Sequence, residues 1–99
     1  MSDREFLWVD PAALRLPGGR RDGVDPMKLH HQMARHGLSI AGMPPLEVSR
    51  GSDGELVIND GVTRATRVAK YLPGTMVIVE VVGTLPVAVG GLPAVRERL

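Results

Sequence analysis

The stretch MVIVEVV, residues 76–82, constrains the chain more than any other. β-branched side chains lose rotamer freedom in a helix and pack well on a pleated surface, so this run predicts a central strand. A sheet built around it needs neighbouring strands and a covering layer of helix. The rest of the sequence supplies both. Phe6-Leu7-Trp8-Val9, ended by Asp10-Pro11, predicts a first strand and a turn, with a helical turn over Ala12 to Leu16. Leu46 to Arg50 alternates as a half-buried strand does, Gly51-Ser52-Asp53-Gly54 reads as a hairpin turn, and Glu55 to Ile58 is the returning strand.

Two helices complete the pattern. Asp25-Pro26 is a capping residue followed by proline at the first helical position, and Gly37 closes the segment, so Pro26 to His36 is expected to be helical. Leu29, Met33 and His36 share one face of it. The second helix follows Asn59-Asp60-Gly61, with Asn59 or Asp60 as the expected N-cap. Its stripe is Ala65, Val68, Ala69 and Leu72, leaving Arg64, Arg67, Lys70 and Tyr71 to the polar sides, and Pro73-Gly74 stops it. The order β-α-β-β-α-β describes an α+β domain with a small mixed sheet and two main helices. From Gly83 onward glycine and proline interrupt the pattern, until Pro93 to Leu99 allows one last helical turn. The expectation is one domain over residues 1–99, with a core at about 6–82 and a Gly/Pro-rich tail at 83–99.

Composition removes several classes of function. The chain has no cysteine, which excludes disulfides, thiolate chemistry and cysteine-ligated zinc. A net charge of +1 gives no bulk attraction to nucleic acid or membrane, so such a role would need a local patch. No apolar run approaches the length of a membrane span, and MSDREFLWVD lacks the basic-then-apolar order of a signal peptide; a cytoplasmic protein is expected. His30, His31 and His36 lie on one helix but not at the i, i+4 spacing that suits two helical metal ligands, so no metal site is expected. Nucleophile-elbow, P-loop and zinc-protease signatures are missing, and Asp22, Asp25, Asp53 and Asp60 all fall in turns or caps, where aspartate is ordinary.

What remains is a set of cations near two helix starts. Lys28 lies on the first turn of the first helix, Arg64 on the first turn of the second, and Arg20-Arg21 in the loop PGGRRDGVD before the first. If the helices pack side by side with adjacent N-termini, these groups converge with free backbone N–H donors, which suits a polyphosphate. The alternative is a set of solvated surface charges.

Two motifs then point to a family. Asp25-Pro26-Met27-Lys28-Leu29 resembles the opening of the sulfiredoxin helix, and Gly61-Val62-Thr63-Arg64 falls where sulfiredoxins carry Gly-Cys-His-Arg and ParB proteins Gly-Glu-Arg-Arg. Over roughly residues 7–82 the chain resembles the ParB/sulfiredoxin-like superfamily. The resemblance implies a nucleotide, ATP or CTP with magnesium, whose phosphates sit against the second helix start. It assigns phosphate contacts to Lys28, Arg64 and Arg20 or Arg21, with Gly61 and Thr63 in the turn, and places His31 near the nucleotide.

The departures matter as much. Val62 replaces the sulfiredoxin cysteine, so reductase chemistry of that type is excluded, and Thr63 replaces the adjacent histidine. Asp60 and Asp22 are the nearest candidates for a catalytic base, and whether the chain is an enzyme stays open. The expected function is a nucleotide- or phosphate-binding domain. The alternatives are a catalytically inactive protein-interaction module, self-associating or binding another protein, and a DNA-associated ParB-like nuclease domain, which the absence of aromatic stacking residues near the cations disfavours.

Overall fold

The computed structural model describes residues 3–99. The strands are β1 (Glu5–Val9), β2 (Leu46–Arg50), β3 (Leu56–Asp60) and β4 (Val77–Thr84), and the helices are α1 (Pro26–His36) and α2 (Val62–Tyr71). They follow the expected order β-α-β-β-α-β. The four strands form one mixed sheet in the order β1-β4-β2-β3. β4 pairs antiparallel with β1 and parallel with β2, while β2 and β3 form the antiparallel hairpin.

The strand read from MVIVEVV is thus interior to the sheet, but only one of its faces is deeply covered. Val77 and Val79 are buried and Val81 half-buried on the covered side, whereas Val82 on the other side is exposed. The buried face joins Leu46, Val48 and Ile58 to Ala65, Val68 and Ala69 of α2. The opposite face is open, with Phe6 and Trp8 on β1 exposed. Arg4 pairs with Glu80 on this face, and Arg50 pairs with Glu5 across the intervening β4.

Three expectations change. The helical turn expected over Ala12 to Leu16 is a shorter 3-10 turn at Pro11–Ala13, and Leu14 to Leu16 runs extended. Arg15 there bridges β3 through Val57 and bridges Ala94 on its other side. This segment covers the outer edge of β3, which would otherwise expose unpaired donors and acceptors. Residues expected to lie in a tail outside the core return to it: Val89 and Ala94 are buried, Val95 joins the main cluster, and its N–H donates to Leu14 O at 2.9 Å. The final turn is a 3-10 helix at Val95–Arg98.

The third change is Arg67, expected on a polar side of α2 and in fact only 2% exposed. Helix periodicity placed it one turn from Arg64, but the loop between α1 and β2 folds over that side of α2 and encloses it. Among the described residues no helix is long and apolar enough to cross a membrane.

Candidate functional site

Each helix start has its own local cause. Asp25 keeps an extended backbone and its carboxylate accepts from Met27 N–H at 2.9 Å, while Pro26 occupies the first turn without needing a donor of its own. At α2 the expected cap is displaced. Asp60 belongs to β3, and the N-cap is Gly61, at φ 114° and ψ 21°, with no side-chain bond to the first turn. The Asp60 carboxylate meets the Arg64 guanidinium instead, at 3.3 Å. Only glycine suits this corner. Its φ is positive, and a Cβ there would lie 2.5 Å from Leu46 Cδ2. The first intrahelical bond runs from Ala65 N–H to Gly61 O, so the N–H groups of Val62, Thr63 and Arg64 precede the ladder.

α1 and α2 pack together with these two starts adjacent. Between them lies a cleft of about 240 Å³. Arg20, Lys28, Asp60, Gly61, Thr63 and Arg64, all singled out from sequence, line it. Arg21 and Asp22 do not; both are exposed, and Arg21 offers its backbone carbonyl to Arg98 Nε at 2.9 Å. The cations come from three separate segments: Arg20 from the 3-10 turn Gly18–Arg20, Lys28 from α1 and Arg64 from α2. Asp60 is the one carboxylate on the lining. Three positive groups against one negative, with a helix start between them, favour an anion.

Arg64 is held before any ligand arrives. Its Nη1 donates to Pro44 O at 2.9 Å and its Nη2 faces Asp60, leaving the side chain 18% exposed. Asp60 is 69% exposed, so this pair is solvated and weak.

Sequence reasoning missed Gln32. It lies one turn after Lys28 on α1, lines the cleft, and carries a buried Oε1 without a hydrogen-bond partner. The i, i+4 spacing from Lys28 was the signal that could have found it. Asn59, considered only as a cap, also lines the cleft, and its amide exchanges hydrogen bonds with the Ser49 hydroxyl at 2.8 and 3.1 Å. His31 lies outside, in an open surface depression with Lys28, Arg35 and Thr63. Val62 also lines the cleft and offers no nucleophile there. Among the described residues no group of three or more His, Cys, Asp or Glu side chains is placed to hold a metal ion.

Comparisons with protein-family models, with curated proteins and with solved structures give no match for this chain.

Proposed function

We propose that this chain is a small phosphate-binding domain of the ParB/sulfiredoxin-like kind, taking a nucleotide such as ATP or CTP with its phosphates against the first turn of α2. One observation carries the reading: Arg20 and Lys28 from neighbouring segments, and Arg64 with the α2 start that has no side-chain cap from a distant one, line a single cleft. Solvated surface charges have no reason to converge around a helix start that lacks a cap. Magnesium carried on the phosphates would meet the protein at Asp60, because oxygen donors suit it and Asp60 is the carboxylate present. With Val62 in place of a cysteine, sulfiredoxin-type reduction is not part of the proposal.

Calorimetry with ATP, ADP and CTP, each with magnesium, tests it. At least one should bind, and Lys28→Ala and Arg64→Ala should each weaken that binding about tenfold or more through the loss of a charge-assisted contact. Failure of all three nucleotides to bind wild-type protein would sink the proposal.

A second reading rests on residues that do not line the cleft. Trp8 is 66% exposed beside Met76, Ile40 and Met43, which line an apolar depression of about 200 Å³. Such a surface supports a protein-interaction module, self-associating or not, and it can coexist with the cleft. Light scattering of wild type against Trp8→Ser reads it out. A nucleic-acid role would have to use the same cleft cations, with a steep loss of DNA affinity as salt rises.

A further inference from the structure

Arg67 follows Arg64 by one turn of α2 and is the largest side chain fully enclosed by the fold. Among the described residues no carboxylate pairs with it. A guanidinium stays protonated even though burial pushes its pKa down from the ordinary value, so a positive charge is held inside without a counter-ion. That charge is spread over one loop. Nη1 donates to Gly37 O at 3.1 Å and to Ser39 O at 2.7 Å, and Nη2 approaches Met43 Sδ at 3.7 Å.

Near its end the same loop carries Pro44, whose carbonyl accepts from Arg64 Nη1 at 2.9 Å. The two arginines therefore grip successive parts of residues 37–45, on either side of a small cavity of about 70 Å³ that Gln32 also lines. Besides the two arginines, the loop is held by Ile40 and Met43 against the core and by its own turn bonds, Ser39 N–H to His36 O and Met43 N–H to Ile40 O. Ile40 and Met43 are half-buried, while Leu38, Ala41, Gly42, Pro44 and Pro45 are exposed. At Arg67 the two hydrogens of Nη1 reach the two carbonyls while Nη2 reaches the sulfur and Nε stays buried without a partner, a span that the single nitrogen of a lysine does not offer.

We infer that Arg67 is a positioning residue of the phosphate cleft: by fastening the 37–45 loop it holds the Pro44 carbonyl on which the Arg64 guanidinium is set. Its functional consequence rests on the phosphate reading of the cleft. Arg67 does not line that cleft, so its effect on a ligand passes through Arg64.

The test is a double-mutant cycle in inorganic triphosphate affinity, measured by calorimetry, with amide hydrogen exchange of residues 38–43 as a second readout. Arg67→Met keeps an unbranched stem, shorter by the guanidinium head, and removes the donors. It should speed exchange in the loop and weaken triphosphate binding roughly tenfold when Arg64 is present. In an Arg64→Ala background the same change should cost no further affinity while loop exchange still accelerates. Arg67→Lys keeps the charge without the fork and should fall between wild type and Arg67→Met on both readouts; it carries the test if Arg67→Met does not fold. Undiminished weakening in the Arg64→Ala background, or unchanged loop exchange, would overturn the inference. Failure of wild-type protein to bind triphosphate would instead remove the phosphate reading, and this role with it.

Discussion

Two helix starts lie side by side in this fold and are finished in opposite ways. α1 carries its own anion, the Asp25 carboxylate on Met27 N–H, and proline at its first position. α2 has neither; a left-handed glycine turns the chain into it and its acidic neighbour bonds to an arginine side chain. A dipole and N–H groups ahead of the ladder exist at both starts. At α1 proline removes one donor and Asp25 takes the Met27 N–H, and at α2 Arg20, Lys28 and Arg64 line the cleft beside the free donors. On the phosphate reading proposed above, a ligand supplies the negative charge at the second start.

The comparison breaks most severely at Gly61. Gly61→Ala must place a methyl 2.5 Å from Leu46 Cδ2, a fully buried core side chain, at a φ that alanine disfavours. Strain and overpacking together should cost about 3 kcal/mol, read as a lower urea midpoint. For a chain of this length the melting temperature should fall by about 10 °C or more. An unchanged melting temperature would mean that the α2 corner is looser than its geometry implies.

Asp25→Ala should have a smaller effect, about 1 kcal/mol, as expected for loss of one N-cap. Thermal unfolding measures it. A loss near zero would show that α1 does not depend on its own cap, and the contrast between the two starts would weaken.

A third carboxylate shows what an anion does for converging backbone donors. Asp53 in the β2–β3 turn accepts from Gly90 N–H at 2.8 Å and from Val89 and Glu55 N–H at 3.3 Å. The Gly90 bond above all holds its carboxyl below the usual range, against a partly opposing cost of burial, with Val89 and Glu55 adding to it. A carboxyl whose folded pKa is depressed contributes stability above its unfolded pKa, about 4. That contribution fades as pH falls through the lower folded value. Amide exchange at Gly90, corrected for its intrinsic pH dependence, should therefore accelerate in acid, and Asp53→Asn should show the faster exchange already at neutral pH. Equal protection in Asp53→Asn at neutral pH would refute this local role.

Much of the scaffold was readable because its signals are local. Asp25-Pro26 with Gly37 bounded α1, the stripe Ala65, Val68, Ala69 faced the sheet, and Gly51 to Gly54 placed the hairpin. The cleft was half-readable: residue types at two helix starts suggested convergence, and their adjacency is a property of packing. What escaped were tertiary effects. Arg67 shares the polar character of Arg64 in sequence and differs only in what folds over it, the 37–45 loop. Asp60 looked like a cap because Asp-Gly before a helix usually supplies one, but β3 extends through Asp60 and turns its side chain toward Arg64. The segment after Gly83 lacked periodicity, yet Val95 enters the core through a strand-like contact with Leu14 that no periodicity announces.

The smallest predicted effect is also the one that sharpens the comparison most. If α2 is a start left for a ligand's negative charge, then Asp60 is a resident competitor, 3.3 Å from Arg64 and 69% exposed. Asp60→Asn keeps an oxygen acceptor and removes the charge. Inorganic triphosphate without magnesium should then bind a few-fold more tightly at low ionic strength, in keeping with the roughly 0.2–1 kcal/mol range of exposed charge pairs. The gain should shrink in 1 M salt, where screening acts over about 3 Å. With magnesium present the sign can reverse, because a cation on the phosphates would draw on the same carboxylate; calorimetry of one variant with and without the metal separates the two roles. A loss of affinity without magnesium would show that Asp60 supports Arg64 more than it repels the ligand, and that the acidic residue beside the second start is part of its frame.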